Sequence, residues 1–213
     1  MSNSQCTVSG PGSSANGSGN TLTLALNVSF GVGFAGNKIA YLAARDAAQN
    51  NSGWQALGTW AVPGAAAGSP AVDSLDPARG AGSSQTFTFT FSDTKGASDL
   101  GVVNILIHNS LDGRNSCYLA YNRPANVLFL VNDSGTALLP GLTLNGSGST
   151  NNSQCTVNGA NSSFKATGKT LTLTLNLSFA ATFSGNRVIY MAARDLADTG
   201  NSGWQAMGSW TVQ

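Results

Sequence analysis

The chain has 213 residues, enough for one large domain or two small ones, and only 9% of them are charged, against roughly 25% in an average soluble protein. Ten Lys and Arg residues balance nine acidic residues, so the net charge of +1 offers no basic field to a phosphate backbone, and we expect no nucleic-acid partner. All nine acidic residues are Asp and the only histidine is His108, which leaves little with which to build an acid–base or metal-dependent active site. We therefore expect no catalysis, no cofactor and no metal.

The rest of the composition indicates an all-β protein. Hydrophobic residues make up 41% of the chain, and Gly, Ser, Thr and Asn, which favour turns and strand surfaces, fill much of the remainder. No apolar stretch approaches the roughly 18 residues of a membrane helix, so we expect no membrane insertion. Met1 stands directly before a repeated motif without a secretion signal, and we expect it to lie inside a longer secreted chain.

An internal repeat organises the sequence. The second copy follows the first at an offset of 149 residues, which becomes 150 after one inserted residue near Thr199. The substitutions preserve volume and polarity, as in Lys38 for Arg187, so both copies are expected to solve the same packing problem. The matching segments are 3–8 with 152–157, 21–30 with 170–179, 36–46 with 185–195, and 51–62 with 201–212.

The segment between the copies has no duplicate. The sequence therefore predicts a half repeat over 1–62, equivalent to 151–213, then a Pro/Gly/Ala linker over 63–70 and a complete repeat over 71–213. A single first half, 71–150, cannot complete two second halves. Residues 1–62 must fold alone, pack on their neighbour, or pair with a segment absent from this chain.

Several segments alternate apolar and polar residues with the period of a half-buried β-strand. Residues 39–48 are ambiguous, because their Ala and Leu favour a helix, but the second copy has Val188 and Ile189 there, so we predict a strand. Residues 123–126 are predicted to form the loop of a hairpin. The predicted strands include 21–24, 85–91, 102–108, 117–122, 127–132 and 170–175.

Two parts of the complete repeat carry a resemblance. Residues 190–202, with an Asp-x-Ala-Asp-Thr-Gly-Asn-Ser turn, then Trp204 and a closing strand over 209–212, look like the last hairpin of bacterial immunoglobulin-like and fibronectin-type-III-like surface repeats. Residues 91–100, a strand that ends in an Asp/Gly loop, are also similar to those repeats. The resemblance implies an antiparallel immunoglobulin-like β-sandwich on a bacterial cell surface. The repeat is longer than a usual sandwich, and the excess between Cys117 and Cys155 is interpreted as an added hairpin.

The three cysteines follow the repeat. Cys117 and Cys155 both lie in the complete repeat, and we hypothesise a disulfide between them, which implies an oxidising compartment. The alternative is a pair of buried free thiols in a cytosolic protein. Cys6, the equivalent of Cys155, has no counterpart of Cys117 and is expected to be free or to pair with another chain.

Aromatic residues recur at a spacing that suits a sugar platform. Trp54 and Trp60 are six residues apart and repeat as Trp204 and Trp210, and Tyr118 and Tyr121 could extend such a platform. Packing in the core or at a repeat boundary is the alternative and the one we prefer.

Two further patterns are explained by turns. Asp93 with Asp99, and Asp195 with Asp198, bracket loops that could supply calcium ligands, but Asp favours turns by bonding its own backbone. The Gly spacing of residues 31–36 matches a dinucleotide-binding loop, but the second copy keeps only the last glycine, which favours a turn before a strand.

Taken together, the sequence predicts a non-enzymatic extracellular structural or adhesive repeat module. Its unpaired half is expected to expose strand edges that pair with copies of itself or with adjacent repeats, as a filament or a strand-swapped oligomer. The alternative is a carbohydrate-binding module that uses the Trp and Tyr side chains to hold a glycan.

Overall fold

The structure is a computed structural model that describes residues 1–64 and 69–213, so residues 65–68 of the predicted linker lie outside it. Within the described residues the regular elements are sixteen strands and three short 3-10 turns, with no α-helix. This confirms the predicted all-β class. The strands of the opening half are β1 (Cys6–Ser18), β2 (Thr21–Phe30), β3 (Gly36–Leu42) and β4 (Gln55–Val62). Those between the copies are β5 (Ala71–Asp76), β6 (Arg79–Ala81), β7 (Ser84–Ser92), β8 (Leu100–His108), β9 (Cys117–Asn122), β10 (Val127–Leu130), β11 (Leu142–Thr143) and β12 (Ser149–Asn151). The last four are β13 (Cys155–Thr167), β14 (Thr170–Phe179), β15 (Gly185–Asp195) and β16 (Gln205–Val212).

The strands form two large sheets and two hairpins. The larger sheet has the order β11-β10-β9-β8-β15-β16-β6, and the smaller has the order β12-β13-β14-β7-β5. Neighbouring strands in both sheets are antiparallel, except β16 and β6, which are parallel. Among residues 1–64 and 69–213, the strands β1 and β2 pair only with each other, and so do β3 and β4.

The two large sheets share one apolar core, as expected for a β-sandwich. Side chains alternate sides along a strand, so Phe87, Phe89 and Phe91 of β7 point inward while the threonines between them are partly exposed. Ile105 and Leu119 of the other sheet belong to the same buried cluster. Burial of these rings and branched chains is the main stabilising contribution to the complete repeat.

A disulfide joins the two sheets. Cys117 begins β9 in the larger sheet and Cys155 begins β13 in the smaller one, and their sulfur atoms are bonded as the sequence predicted. Both cysteines are buried. A buried disulfide indicates an oxidising compartment. Among the residues of the structure, no helix is long and apolar enough to cross a membrane.

The region between Cys117 and Cys155 contains more than the predicted additional hairpin. The strands β9 and β10 flank the loop 123–126 as expected, with Asn122 opposite Val127. The strand β11 then adds to the edge of the larger sheet, and β12 adds to the edge of the smaller one. The insertion therefore contributes strands to both sheets.

The chain divides into two compact units, Met1–Lys38 with Trp60–Ala66, and Ile39–Thr59 with Ala67–Gln213. In the first unit, the β1–β2 hairpin has the pairing found in β13–β14 of the second. Cys6 lies opposite Phe30 as Cys155 lies opposite Phe179, and both hairpins shift register at the equivalent place. Similar local sequence therefore produces the same hairpin in both copies.

The strand predicted over 39–48 forms only as far as Leu42, whereas its counterpart β15 continues to Asp195. The last four residues of β15 pair with β8 from Asn104 to Leu100. The described strands include no counterpart of β8 beside β3. The length of this strand is therefore determined by its neighbour and not by its own sequence.

Candidate interaction surface

The β1–β2 hairpin presents a row of leucines to solvent. The side chains of Leu22, Leu24 and Leu26 in β2 are 73%, 61% and 53% exposed. Their equivalents in β14 are fully buried in the core of the complete repeat. Large apolar side chains in a contiguous exposed row are characteristic of interaction surfaces. We call Leu22, Leu24 and Leu26 the leucine face; the equivalents in β14 are Leu171, Leu173 and Leu175.

The edge of β2 beside the leucine face is also unpaired. In the complete repeat, β7 occupies the corresponding edge of β14 and places Phe89 opposite Leu173. In the part of the chain that the structure describes, the strand β2 has only β1 as a neighbour. Its outer N–H and C=O groups therefore form an open edge of the kind that accepts a further strand.

The turn before β1 corresponds to the turn before β13, which contacts the first half of the complete repeat. The side-chain oxygen of Asn3 accepts hydrogen bonds from the backbone N–H groups of Gln5 and Cys6, as that of Asn152 does from Gln154 and Cys155. The amide nitrogen of Asn152 also donates to the backbone oxygens of the first half. For Asn3, the described residues contain no partner for this nitrogen. The acceptors for Asn152 are Ser116 O at 2.8 Å and Val131 O at 3.1 Å.

Two equivalent glycines, one in each copy, differ in the space around them. A Cβ atom at Gly159 would collide with the backbone oxygen of Ser147, so only glycine fits there. A Cβ atom at Gly10, the equivalent position in β1, would meet nothing within 4 Å. The first copy therefore has the glycine but not the neighbouring chain that makes it necessary.

Cys6 is the first residue of β1 and follows the turn of Asn3. It is a free cysteine with intermediate exposure, placed where Cys155 forms its disulfide in the complete repeat. The prediction that Cys6 is unpaired is consistent with this placement. The turn of Asn3, the start of β1 and the open edge of β2 correspond to three places where the complete repeat contacts residues of its first half.

The second hairpin of the opening half has a different environment. Ala56 is buried in one cluster with Val188, Tyr190 and Ala206, and Asn186 Nδ2 donates to the side-chain oxygen of Gln55 at 3.1 Å. Burial, with a smaller effect of Tyr41, raises the pKa of Tyr190 to about 12. Residues of this hairpin thus pack on β15 and β16 of the same unit.

Trp210 does not belong to the candidate tryptophan platform, and its packing agrees with the preferred alternative. Trp210 is only 4% exposed, lies edge-on to Phe87 with ring centroids 5.1 Å apart, and donates from Nε1 to Gly82 O. It is therefore a core residue and offers no ring face to a sugar. Trp54 and Trp60 are largely exposed.

Trp204 is half-buried beside a shallow pocket. Its ring is edge-on to Tyr118 with centroids 5.8 Å apart, and Asn104 and Arg194 line the same pocket. Tyr121, the other tyrosine considered for the platform, is fully buried and donates its hydroxyl to Asn126. Burial raises the pKa of Tyr121 to about 12.

The aspartates considered as calcium ligands make turn contacts. Asp93 accepts from the backbone N–H of Lys95, Asp195 accepts from the N–H and hydroxyl of Thr199, and Asp198 pairs with Arg194. The bonds from Thr199 lower the pKa of Asp195. In the two described ranges, no group of three or more His, Cys, Asp or Glu side chains could hold a metal ion. The glycine-rich residues 31–36 contain a 3-10 turn, Val32–Phe34.

The sequence pointed to residues 1–62 and predicted a strand over 21–24, but it did not single out the leucines of that strand as a candidate surface. A signal was available in the sequence. Leu22, Leu24 and Leu26 are equivalent to leucines of a second strand, 170–175, whose apolar side needs a covering neighbour. Comparisons with models of protein families, with curated proteins and with solved structures find no match to this chain.

Proposed function

We propose that this protein is a non-enzymatic structural module that joins to further protein chains by strand pairing at the β1–β2 hairpin. The module acts outside the cell, as an adhesive or structural repeat similar to bacterial immunoglobulin-like surface repeats. Its partners are copies of itself or adjacent repeats, and its assembly is a filament or a strand-swapped oligomer.

The observation that carries this proposal is the exposure of the leucine face in a hairpin whose counterpart buries it. Exposed leucines next to an unpaired strand edge combine two driving forces, apolar burial and backbone hydrogen bonding. The low charge of the surface supports association, because like-charge repulsion between copies is weak at a net charge of +1. The disulfide supports an extracellular location.

Light scattering over a range of protein concentrations tests the proposal. We expect the average mass to rise with concentration, and Leu24→Asp to suppress the rise, because association would bury an unpaired charge. Thr23→Asp is the matched control, since Thr23 lies on the opposite side of the same strand, and it should leave association unchanged. A mass that stays monomeric throughout contradicts self-assembly and leaves adjacent repeats as the partners.

Carbohydrate binding is a second candidate, favoured by the pocket in which Trp204 and Tyr118 meet beside Asn104 and Arg194. An aromatic wall with polar neighbours suits a pyranose ring. Tryptophan fluorescence titrated with a panel of glycans tests this function. A saturable shift that Trp204→Ala removes supports it, and the absence of any shift excludes it for that panel.

A further inference from the structure

We infer that the surface of the β1–β2 hairpin is a binding site for a first-half segment, a stretch of partner chain with the pattern of residues 71–150. The partner supplies a strand like β7 along β2, and a cysteine like Cys117 that bonds to Cys6. This inference rests on the proposed function and specifies its partner. Self-association is then what the open edge does when that partner is absent.

The pairing of β14 with β7 defines the strand that the partner must supply. The incoming strand runs antiparallel to β2 and places aromatic side chains beside the leucine face, on the same side of the sheet. By the equivalence of the copies, residues corresponding to Phe91, Phe89 and Phe87 lie opposite Leu22, Leu24 and Leu26. Polar residues alternate with these rings, as the threonines of β7 do, and remain on the outer side.

The polar edge of β2 suits the same strand. In the complete repeat, Asn176 Nδ2 donates to the hydroxyl of Thr86 on β7 at 2.8 Å. Asn27 is the equivalent residue of β2, and its Nδ2 donates to the backbone oxygen of Pro11 at 3.2 Å. A partner hydroxyl at the position of Thr86 offers this amide an additional acceptor.

The turn of Asn3 and the residue Gly10 are two further features of the opening half that suit a first-half segment. The free amide nitrogen of Asn3 lies where that of Asn152 donates to backbone oxygens of the first half. Gly10 has space beside it where Gly159 meets the segment that leads into β12. Both features are useful only beside the backbone of a first-half segment, since an isolated strand or a face-to-face copy would not reach the turn, the glycine and β2 together.

Cys6 makes the complex covalent. In the complete repeat the first half supplies Cys117 and the second half Cys155. With a partner cysteine in the place of Cys117, the two thiols form one S–S bond, and their two electrons and two protons reduce a small-molecule disulfide, such as oxidised glutathione, to two thiols. The bond locks the partner strand in place.

The test extends the full chain at its N-terminus. A second copy of residues 71–149 is placed directly before Met1, which then occupies the position that Thr150 has in the complete repeat, and the chain is oxidised with a glutathione buffer. We expect mass spectrometry of an unreduced digest to find Cys6 bonded to the added cysteine, with no free thiol remaining. Hydrogen exchange in β2 should slow by about tenfold or more.

The added segment also provides matched controls. Phe89→Asp in the added copy should prevent both the new disulfide and the protection of β2, because it places a charge opposite Leu24. Thr88→Asp in the added copy, on the outer side of the same strand, should permit both. Free Cys6 in an extended chain whose Cys117–Cys155 bond is intact overturns the inference.

A second test uses the unextended chain, so its result does not depend on whether the added segment folds. A fluorescent peptide with the sequence of residues 84–92 should bind, and Leu24→Asp should weaken binding by about tenfold or more, while Thr23→Asp changes it by less than about twofold. Absence of peptide binding overturns the inference even if the chain self-associates. If the chain binds the peptide but stays monomeric, the inference holds and self-assembly is contradicted.

Discussion

Leu24 and Leu173 occupy the same register position in two hairpins with the same pairing, yet the side chain of Leu24 is 61% exposed and that of Leu173 is fully buried. The difference lies in the neighbours. Leu173 is covered by the sandwich core and flanked by β7, while Leu24 has neither beside it. The two residues form a natural pair in which the local environment is constant and the tertiary environment changes.

Alanine substitutions at this pair should differ in cost. Leu173→Ala leaves a cavity in the core and should lower the free energy of unfolding by about 2–5 kcal/mol. Leu24→Ala removes a solvent-exposed side chain and should change it by less than about 0.5 kcal/mol. Urea denaturation at a low protein concentration measures both. Equal losses would mean that the leucine face is covered in solution.

The disulfide should be a large contributor to stability. Replacing both Cys117 and Cys155 with serine frees a loop with a sequence separation of 38 residues, which costs about 4 kcal/mol in the chain-entropy treatment. Cys6→Ser is the control and should change the free energy of unfolding by less than about 0.5 kcal/mol. Thermal unfolding of the three proteins without reductant provides the comparison. A small effect of the double replacement would contradict the prediction.

A pair of equivalent glycines tests the packing of β16. A Cβ atom at Gly208 would collide with Ala78 O and the side chain of Leu75, whereas one at Gly58 would meet nothing within 4 Å. Gly208→Ala should therefore lower the free energy of unfolding by about 1–3 kcal/mol. Gly58→Ala, measured in the same denaturant titration, should lower it much less. The prediction is wrong if Gly58→Ala costs as much as Gly208→Ala.

His108 should make stability depend on pH. Burial lowers the pKa of His108 below its ordinary value of 6.5, with a smaller contribution from the charge of Arg187, against opposing effects of the hydrogen bond with the backbone of Ser110 and of the charge of Asp112. The unfolded chain therefore binds a proton at higher pH than the folded chain. The free energy of unfolding is unaffected well above pH 6.5 and falls as pH decreases from that value toward the folded pKa.

Proton NMR can measure the pKa of His108 directly, because His108 is the only histidine in the sequence. We expect its titration midpoint below 6.5 in the folded protein and near 6.5 in urea. His108→Gln should flatten the pH dependence of stability between about pH 7 and pH 5. A folded-state midpoint at or above 6.5 would contradict the assignment of burial as the dominant effect.

The candidate site was only partly predictable. The odd cysteine and the uneven number of halves pointed to residues 1–62 as the place where something is missing. The exposure of Trp60 and the burial of its equivalent Trp210 could not be inferred, because both copies carry tryptophan at this position and the spacing is the same. Only the presence of Gly82 and Phe87 beside Trp210 makes that tryptophan a core residue.

The sequence by itself determined the features that depend on contacts close along the chain. Alternation of Thr with Leu or Phe produces strands with one apolar side, and a two-residue turn that begins with glycine, Gly19 or Gly168, accompanies the same hairpin register in β1–β2 and β13–β14. The tertiary structure alone decided which apolar sides are buried and where β3 and β15 end. Burial and strand length depend on neighbours distant in sequence, and the neighbours of β14 and β15 have no counterpart beside β2 and β3.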